Sequence, residues 1–180
     1  MIKPFKLKVP DNTLNKIYNK VKKYPWSDIQ DMNDWKHGTN FKYLKEISKY
    51  WITKFNWKKQ EKKINKFSNY LTKVDDINIH FIKEKGSGSN PMPLLILHGW
   101  PGSIVEFLNI IEKLAHPERF GGKKEDSFDV IAPSLPGFGF SGSPKKPIGP
   151  RKMAKIMNKF MTKNLGYKKY LSQGGDWGST

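Results

Sequence analysis

Through roughly the first 72 residues, apolar side chains return every three or four positions, the period of a helix with one buried face. Leu14, Ile17, Tyr18 and Val21 make the first stripe, and Asp11 stands before it as a candidate N-cap. Leu44, Ile47, Trp51 and Phe55 make a second, and Trp57, Ile64, Phe67 and Leu71 a third. Between the first two, residues 25–40 are polar enough to be a connector, with Trp26 and Trp35 expected to pack down as anchors. Residues 1–73 therefore read as a helical arm.

Near Val74 the period shortens. Ile77, Ile79 and Phe81 alternate with polar residues as a strand does, and residues 86–91 then form a Gly/Ser/Pro loop. Residues 93–97 are a short apolar run suited to a strand buried on both faces. Ser103 and Glu106 have the spacing of a capping box, with Ile104, Phe107, Leu108, Ile111 and Leu114 lining the helix behind it. A strand over 128–132, a Gly/Pro-rich loop over 133–143, a helix striped by Met153, Ile156, Met157, Phe160 and Met161, and a last strand over 170–172 complete the order. Strand, helix, strand, helix, strand predicts an α/β fold, its sheet mostly parallel with flanking helices, over residues 74–180. Ligands in such sheets bind beyond the carboxyl ends of the strands. Residues 98–102, residues 136–140 and Asp176 all follow predicted strands, so they should meet at one edge.

Asp176 gives that edge a chemistry. It lies in Gly174-Gly175-Asp176-Trp177-Gly178, where Gly174 and Gly178 supply the small residues that a sharp strand-to-helix turn needs on either side of an exposed nucleophile. A serine usually holds that place. A carboxylate attacking saturated carbon makes an alkyl ester that water can still cleave, whereas a serine would leave an ether, so the substitution points to epoxide opening or dehalogenation. The same residues also suit a tight turn whose Asp caps the next helix. Cleaving such an ester requires backbone donors for the oxyanion; the N–H of Trp177 is one, and Trp100, in the loop after an earlier strand, is placed to give the second.

Composition narrows the partners. The chain has 180 residues and no cysteine, which excludes disulfides and thiolate metal sites and leaves nothing to mark an oxidising compartment. Residues 1–10 lack the apolar stretch of a signal peptide, and no stretch is long enough to cross a bilayer. Of the net charge of +17, residues 1–73 carry twelve, with 18 Lys against six acidic residues. That field suits an anionic membrane surface, but with Arg119 and Arg151 the only arginines, specific nucleic-acid recognition is not expected. His37, His80 and His116 show no metal-ligand spacing and read as structural or exposed.

Several motifs occur together in an order that resembles a known family. They are Tyr50-Trp51, Phe55-Asn56-Trp57, Ile79-His80-Phe81, Leu97-His98-Gly99-Trp100-Pro101-Gly102-Ser103, the run from Pro133 through Leu135, Gly137, Phe138 and Phe140 to Ser141, and Gly174-Gly175-Asp176-Trp177-Gly178-Ser179. Together they are similar to microsomal-type epoxide hydrolases, including the juvenile-hormone epoxide hydrolases of insects: α/β-hydrolases preceded by a helical arm. The resemblance implies that Asp176 is the nucleophile, that the Trp100 and Trp177 N–H groups form the oxyanion hole, and that His98, Gly99, Pro101 and Gly175 shape the supporting loops, His98 by ordering its loop rather than as a base. It implies a small apolar epoxide as substrate, no cofactor and no metal. It also implies a place at the endoplasmic reticulum or microsomal membrane, otherwise the cytoplasm, with peripheral contact to the membrane surface. In the family layout the lid tyrosines and the His with its acidic partner lie beyond Thr180, so full turnover and high stability are not expected of residues 1–180 alone. Two other readings stay open: a haloalkane dehalogenase-like hydrolase, disfavoured by Trp100 and the arm, and a non-catalytic basic helical module, which leaves the motifs after Pro93 unexplained.

Overall fold

The computed structural model of the protein describes residues 1–26 and 34–179; residues 27–33, the middle of the expected connector, and Thr180 lie outside the described residues. The chain divides into two compact units, one of Leu7–Lys63 and one of Met1–Lys6 with Ile64–Thr180.

The helical unit holds α1 (Asp11–Lys22), α2 (Phe41–Thr53) and all but the last residue of α3 (Trp57–Ile64). Asp11 is not the N-cap of α1. Pro10 holds that position without a side-chain bond, and Asp11, the first helical residue, pairs with Lys58 at 3.3 Å instead. Pro10 sits in extended backbone where its missing N–H costs the helix nothing. Asn40 caps α2, its Oδ1 accepting the Tyr43 N–H at 2.9 Å. Trp26 does pack as an anchor, edge-on to Phe41 at 5.9 Å, but Trp35 remains 62% exposed against Tyr43. Glu61 is the buried polar centre of this unit. It accepts the Val9 N–H at 2.7 Å and the Trp57 indole N–H at 3.2 Å, and the Val9 bond is the largest of the causes that hold its carboxyl below the usual value.

The third helical stripe is cut short. Asn69 Nδ2 donates to the Ile64 and Phe67 carbonyls at 2.9 and 2.8 Å, satisfying groups that a continuing helix would have used. The chain then extends, so Leu71 lies on a strand, β2 (Asn69–Val74), and not on the helix. With β1 (Lys3–Pro4), β3 (Ile77–Glu84), β4 (Met92–Leu97), β5 (Phe128–Pro133) and β6 (Leu171–Gly174) it forms a six-stranded sheet in the order β1-β2-β3-β5-β4-β6. β1, β2 and β3 are antiparallel, and β3 runs antiparallel to β5. β5, β4 and β6 are parallel, as the alternating strands and helices predict. The sheet is therefore mixed, with its α/β part at the site end.

Two crossovers connect the parallel strands. The first begins with the expected capping box: Ser103 N–H donates to Glu106 Oε1 at 3.0 Å, and Ser103 Oγ accepts from the Val105 N–H. It starts a short 3-10 turn over Ile104–Phe107, and α4 (Ile111–Ala115) follows as a separate piece rather than one long helix. The second crossover is α5 (Pro150–Lys159), whose end widens into a π-turn over Phe160–Asn164. Its stripe of Ile156, Met157, Phe160 and Met161 buries against Val74, Ile79, Phe81, Leu95 and Ile131 on one sheet face. Phe160 meets Phe81 edge-on at 4.9 Å.

Candidate active site

β4 and β6 are hydrogen-bonded neighbours, with Leu97 opposite Gly174, so the loops leaving their carboxyl ends start side by side. After β6 the chain turns at once into a 3-10 segment, Asp176–Ser179. Asp176 has φ of 51°, in the left-handed region that few non-glycine residues adopt, and a strained turn of this kind is how an elbow lifts its side chain clear. The flanking glycines are required by contact. A Cβ on Gly174 would collide with the Gly178 carbonyl, and one on Gly178 with the Leu97 and His98 carbonyls. Gly178 N–H donates to Gly175 O at 2.9 Å and Ser179 Oγ–H to Asp176 O at 2.6 Å, closing the turn.

The carboxylate is exposed and meets the first loop directly. Trp100 N–H donates to Asp176 Oδ1 at 2.8 Å, across 76 residues of sequence. The N–H groups of Trp177 and then Trp100 hold the Asp176 carboxyl below the usual carboxylate value, so it is ionised at neutral pH. Gly99 has no side chain for a related reason: a Cβ there would run into the Asp176 carboxylate. Pro101 follows Trp100 on the exposed surface, and Gly175 has open space around its Cα.

His98 is buried and cannot act as a base in this arrangement. Its Nε2 accepts the Leu135 N–H at 3.1 Å, which leaves the ring proton on Nδ1, bonded to Gly99 O at 3.0 Å. Both nitrogens are engaged in ordering loops.

Beside the elbow lies a cleft of about 380 Å³. It is lined by Trp100, Leu135, Phe138, Ile148, Met153 and Trp177, together with Gly149 and Pro150. Among the described residues no ionisable side chain lines it. The motif run over 133–141 contains Leu135 and Phe138, whereas Met153 is expected only as part of a helical stripe and nothing in the sequence marks Ile148. Gly149-Pro150, a helix start directly behind a Gly/Pro loop, was the available signal that α5 begins at the site. Among the described residues no three His, Asp or Glu side chains cluster to hold a metal ion.

Residues 2–107 match the family described as epoxide hydrolase N terminus, and residues 92–180 match the alpha/beta hydrolase fold. The chain belongs to the epoxide hydrolase family. It is 39% identical over 183 residues to epoxide hydrolase 1 of Sus scrofa, covering 99% of this chain and 40% of that one. Among solved structures it is similar to the juvenile hormone epoxide hydrolase of the silkworm Bombyx mori, with a TM-score of 0.85 and 33% identity over 99% of this chain and 42% of that one. The Aspergillus niger epoxide hydrolase gives the same TM-score of 0.85 at 29% identity, over 99% and 47% of the two chains. The chain thus spans less than half the length of these epoxide hydrolases. No helix among the described residues is long and apolar enough to cross a membrane.

Proposed function

We propose that the whole protein opens small apolar epoxides to vicinal diols through a covalent ester on Asp176. One observation carries this reading: an exposed, ionised carboxylate on a left-handed turn receives the Trp100 N–H at 2.8 Å beside an apolar cleft. One Asp176 oxygen attacks an epoxide carbon, a new C–O bond forms and a ring C–O bond breaks, and the resulting alkoxide takes a proton from an acid beyond residue 180. Water, deprotonated by a base also expected there, then adds to the ester carbonyl. The oxyanion sits against the Trp100 and Trp177 N–H groups, and its collapse releases the diol and restores the carboxylate with one oxygen from water.

The apolar walls and the names of the relatives support a lipid-derived or xenobiotic epoxide of the microsomal or juvenile-hormone type, and so a role in detoxification or hormone turnover. The Lys-rich residues 1–73 support peripheral contact with an anionic endoplasmic-reticulum surface. As modules, we place the arm over Leu7–Lys63 and the hydrolase half from Ile64 onward, together with Met1–Lys6, so that the arm ends ten residues earlier than the composition change, because β2 already belongs to the sheet. Single turnover of the whole protein in ¹⁸O-labelled water tests the chemistry: label enters Asp176 and not the first diol released. Label passing straight into the diol would defeat the ester mechanism.

A further inference from the structure

We propose that His80, which lies outside the reacting centre, is a positioning residue that sets the wall of the substrate cleft by fixing the backbone at Ser134 and Leu135; this rests on reading the cleft as the epoxide site. His80 is fully buried on β3, beside the point where β5 ends at Pro133. Its proton positions follow from its neighbours. Asn69 Nδ2 donates to two carbonyls, which turns Oδ1 toward His80 Nε2 at 2.9 Å and requires that nitrogen to carry the proton. Nδ1 is therefore bare and accepts the Ser134 hydroxyl at 2.9 Å.

The backbone of the same residue makes two more ties. His80 O accepts the Ser134 N–H at 2.8 Å, and His80 N–H donates to Ser141 Oγ at 2.9 Å. Ser141 in turn donates to Ser134 O at 2.6 Å, so both ends of the loop over 134–141 converge on one imidazole-bearing residue. Phe5 and Phe140 stand edge-on to the ring, each at 5.1 Å, and shield it. Gly139 must be glycine here, since a Cβ would come within 2.8 Å of Ser134 Oγ. On the other side Leu135 N–H is held by His98, and Leu135 O accepts the Phe138 N–H at 2.9 Å. Leu135 and Phe138 are cleft walls, whereas His80, Ser134 and Ser141 line no part of it. The network therefore acts on what fits the cleft and leaves the elbow alone.

The test compares a large and a small epoxide with the whole protein and its Ser134→Ala variant, using cis-stilbene oxide and propylene oxide. The expected result is a KM for the stilbene oxide raised about tenfold with kcat within about twofold, and kcat/KM for propylene oxide within about twofold. Equal losses with both epoxides, or no change with either, overturns the proposal. If Ser134→Ala does not fold, Ser141→Ala breaks two other ties and is read in the same way. If the unsubstituted protein turns over neither epoxide, the hydrolase reading fails on its own account. The wall is then measured by tryptophan fluorescence with unreactive stilbene: a Kd about tenfold weaker in the variant upholds His80's role, and an unchanged Kd overturns it.

Discussion

Asp176 and His80 are each tied to residues more than fifty positions away, Trp100 in one case and Ser134 in the other. At His80 both ring nitrogens have partners and the side chain is sealed from water. At Asp176 the backbone is held at positive φ, the side chain is open, and the donors that reach it are aimed at a group able to react. The difference separates two uses of a polar residue. A sealed network whose valences are all filled fixes shape, whereas a strained, open one with donors aimed at a developing charge is arranged for chemistry.

The largest effect should come from the open end of that contrast. Asp176→Asn is expected to lower turnover of an apolar epoxide by at least about 10³-fold while leaving the thermal midpoint close to wild type, measured by steady-state assay and melting of the whole protein. Activity within tenfold of wild type would erase the distinction. Next, Gly178→Ala forces a Cβ onto the Leu97 and His98 carbonyls, backbone atoms at the end of β4. It should cost about 3 kcal/mol in denaturant unfolding and take the elbow's activity with it.

The sealed end should be visible in pH. Burial lowers the His80 pKa from 6.5 to about 4. Above pH 6.5 neither the folded nor the unfolded chain protonates it; between there and about 4 only the unfolded chain does, so stability falls as pH falls, by about 3 kcal/mol in all. Asp176, Asp75, Glu61 and Glu118 all have lowered values, and what they contribute is lost only below the ordinary carboxylate range. Unfolding midpoints of wild type and His80→Asn from pH 7 to 4.5 should therefore differ in slope, with the variant flatter. The smallest effect is expected from Ser141→Ala, about 1 to 2 kcal/mol of stability with the rate of Asp176 alkylation at saturating epoxide unchanged, followed by mass spectrometry. A loss of alkylation in that variant would join the two regions into one.

The sequence foretold the open region better than the sealed one. Asp176 with its glycines, Trp100 and the Ser103–Glu106 box are local patterns, and each contact they imply lies within a few residues or follows from the order of strands. The helical stripes of α1 and α2 are also local. The third stripe misled because Leu71 fits a helical period as well as a strand's, and only the Asn69 bonds to the preceding carbonyls decide between them. β1 is two residues long and has no periodicity to read. His80 could not be recognised as a hub, since its partners Asn69 and Ser134 stand 11 and 54 positions away and meet it only through sheet register. Met153 reads as one more position of a helical stripe because the same spacing serves a buried face and a cleft wall.

Gly99 and Asp176 are packed so closely that the only side chain position 99 tolerates is a hydrogen atom. A methyl group at residue 99 would have to displace the carboxylate, so the two positions can be altered only together.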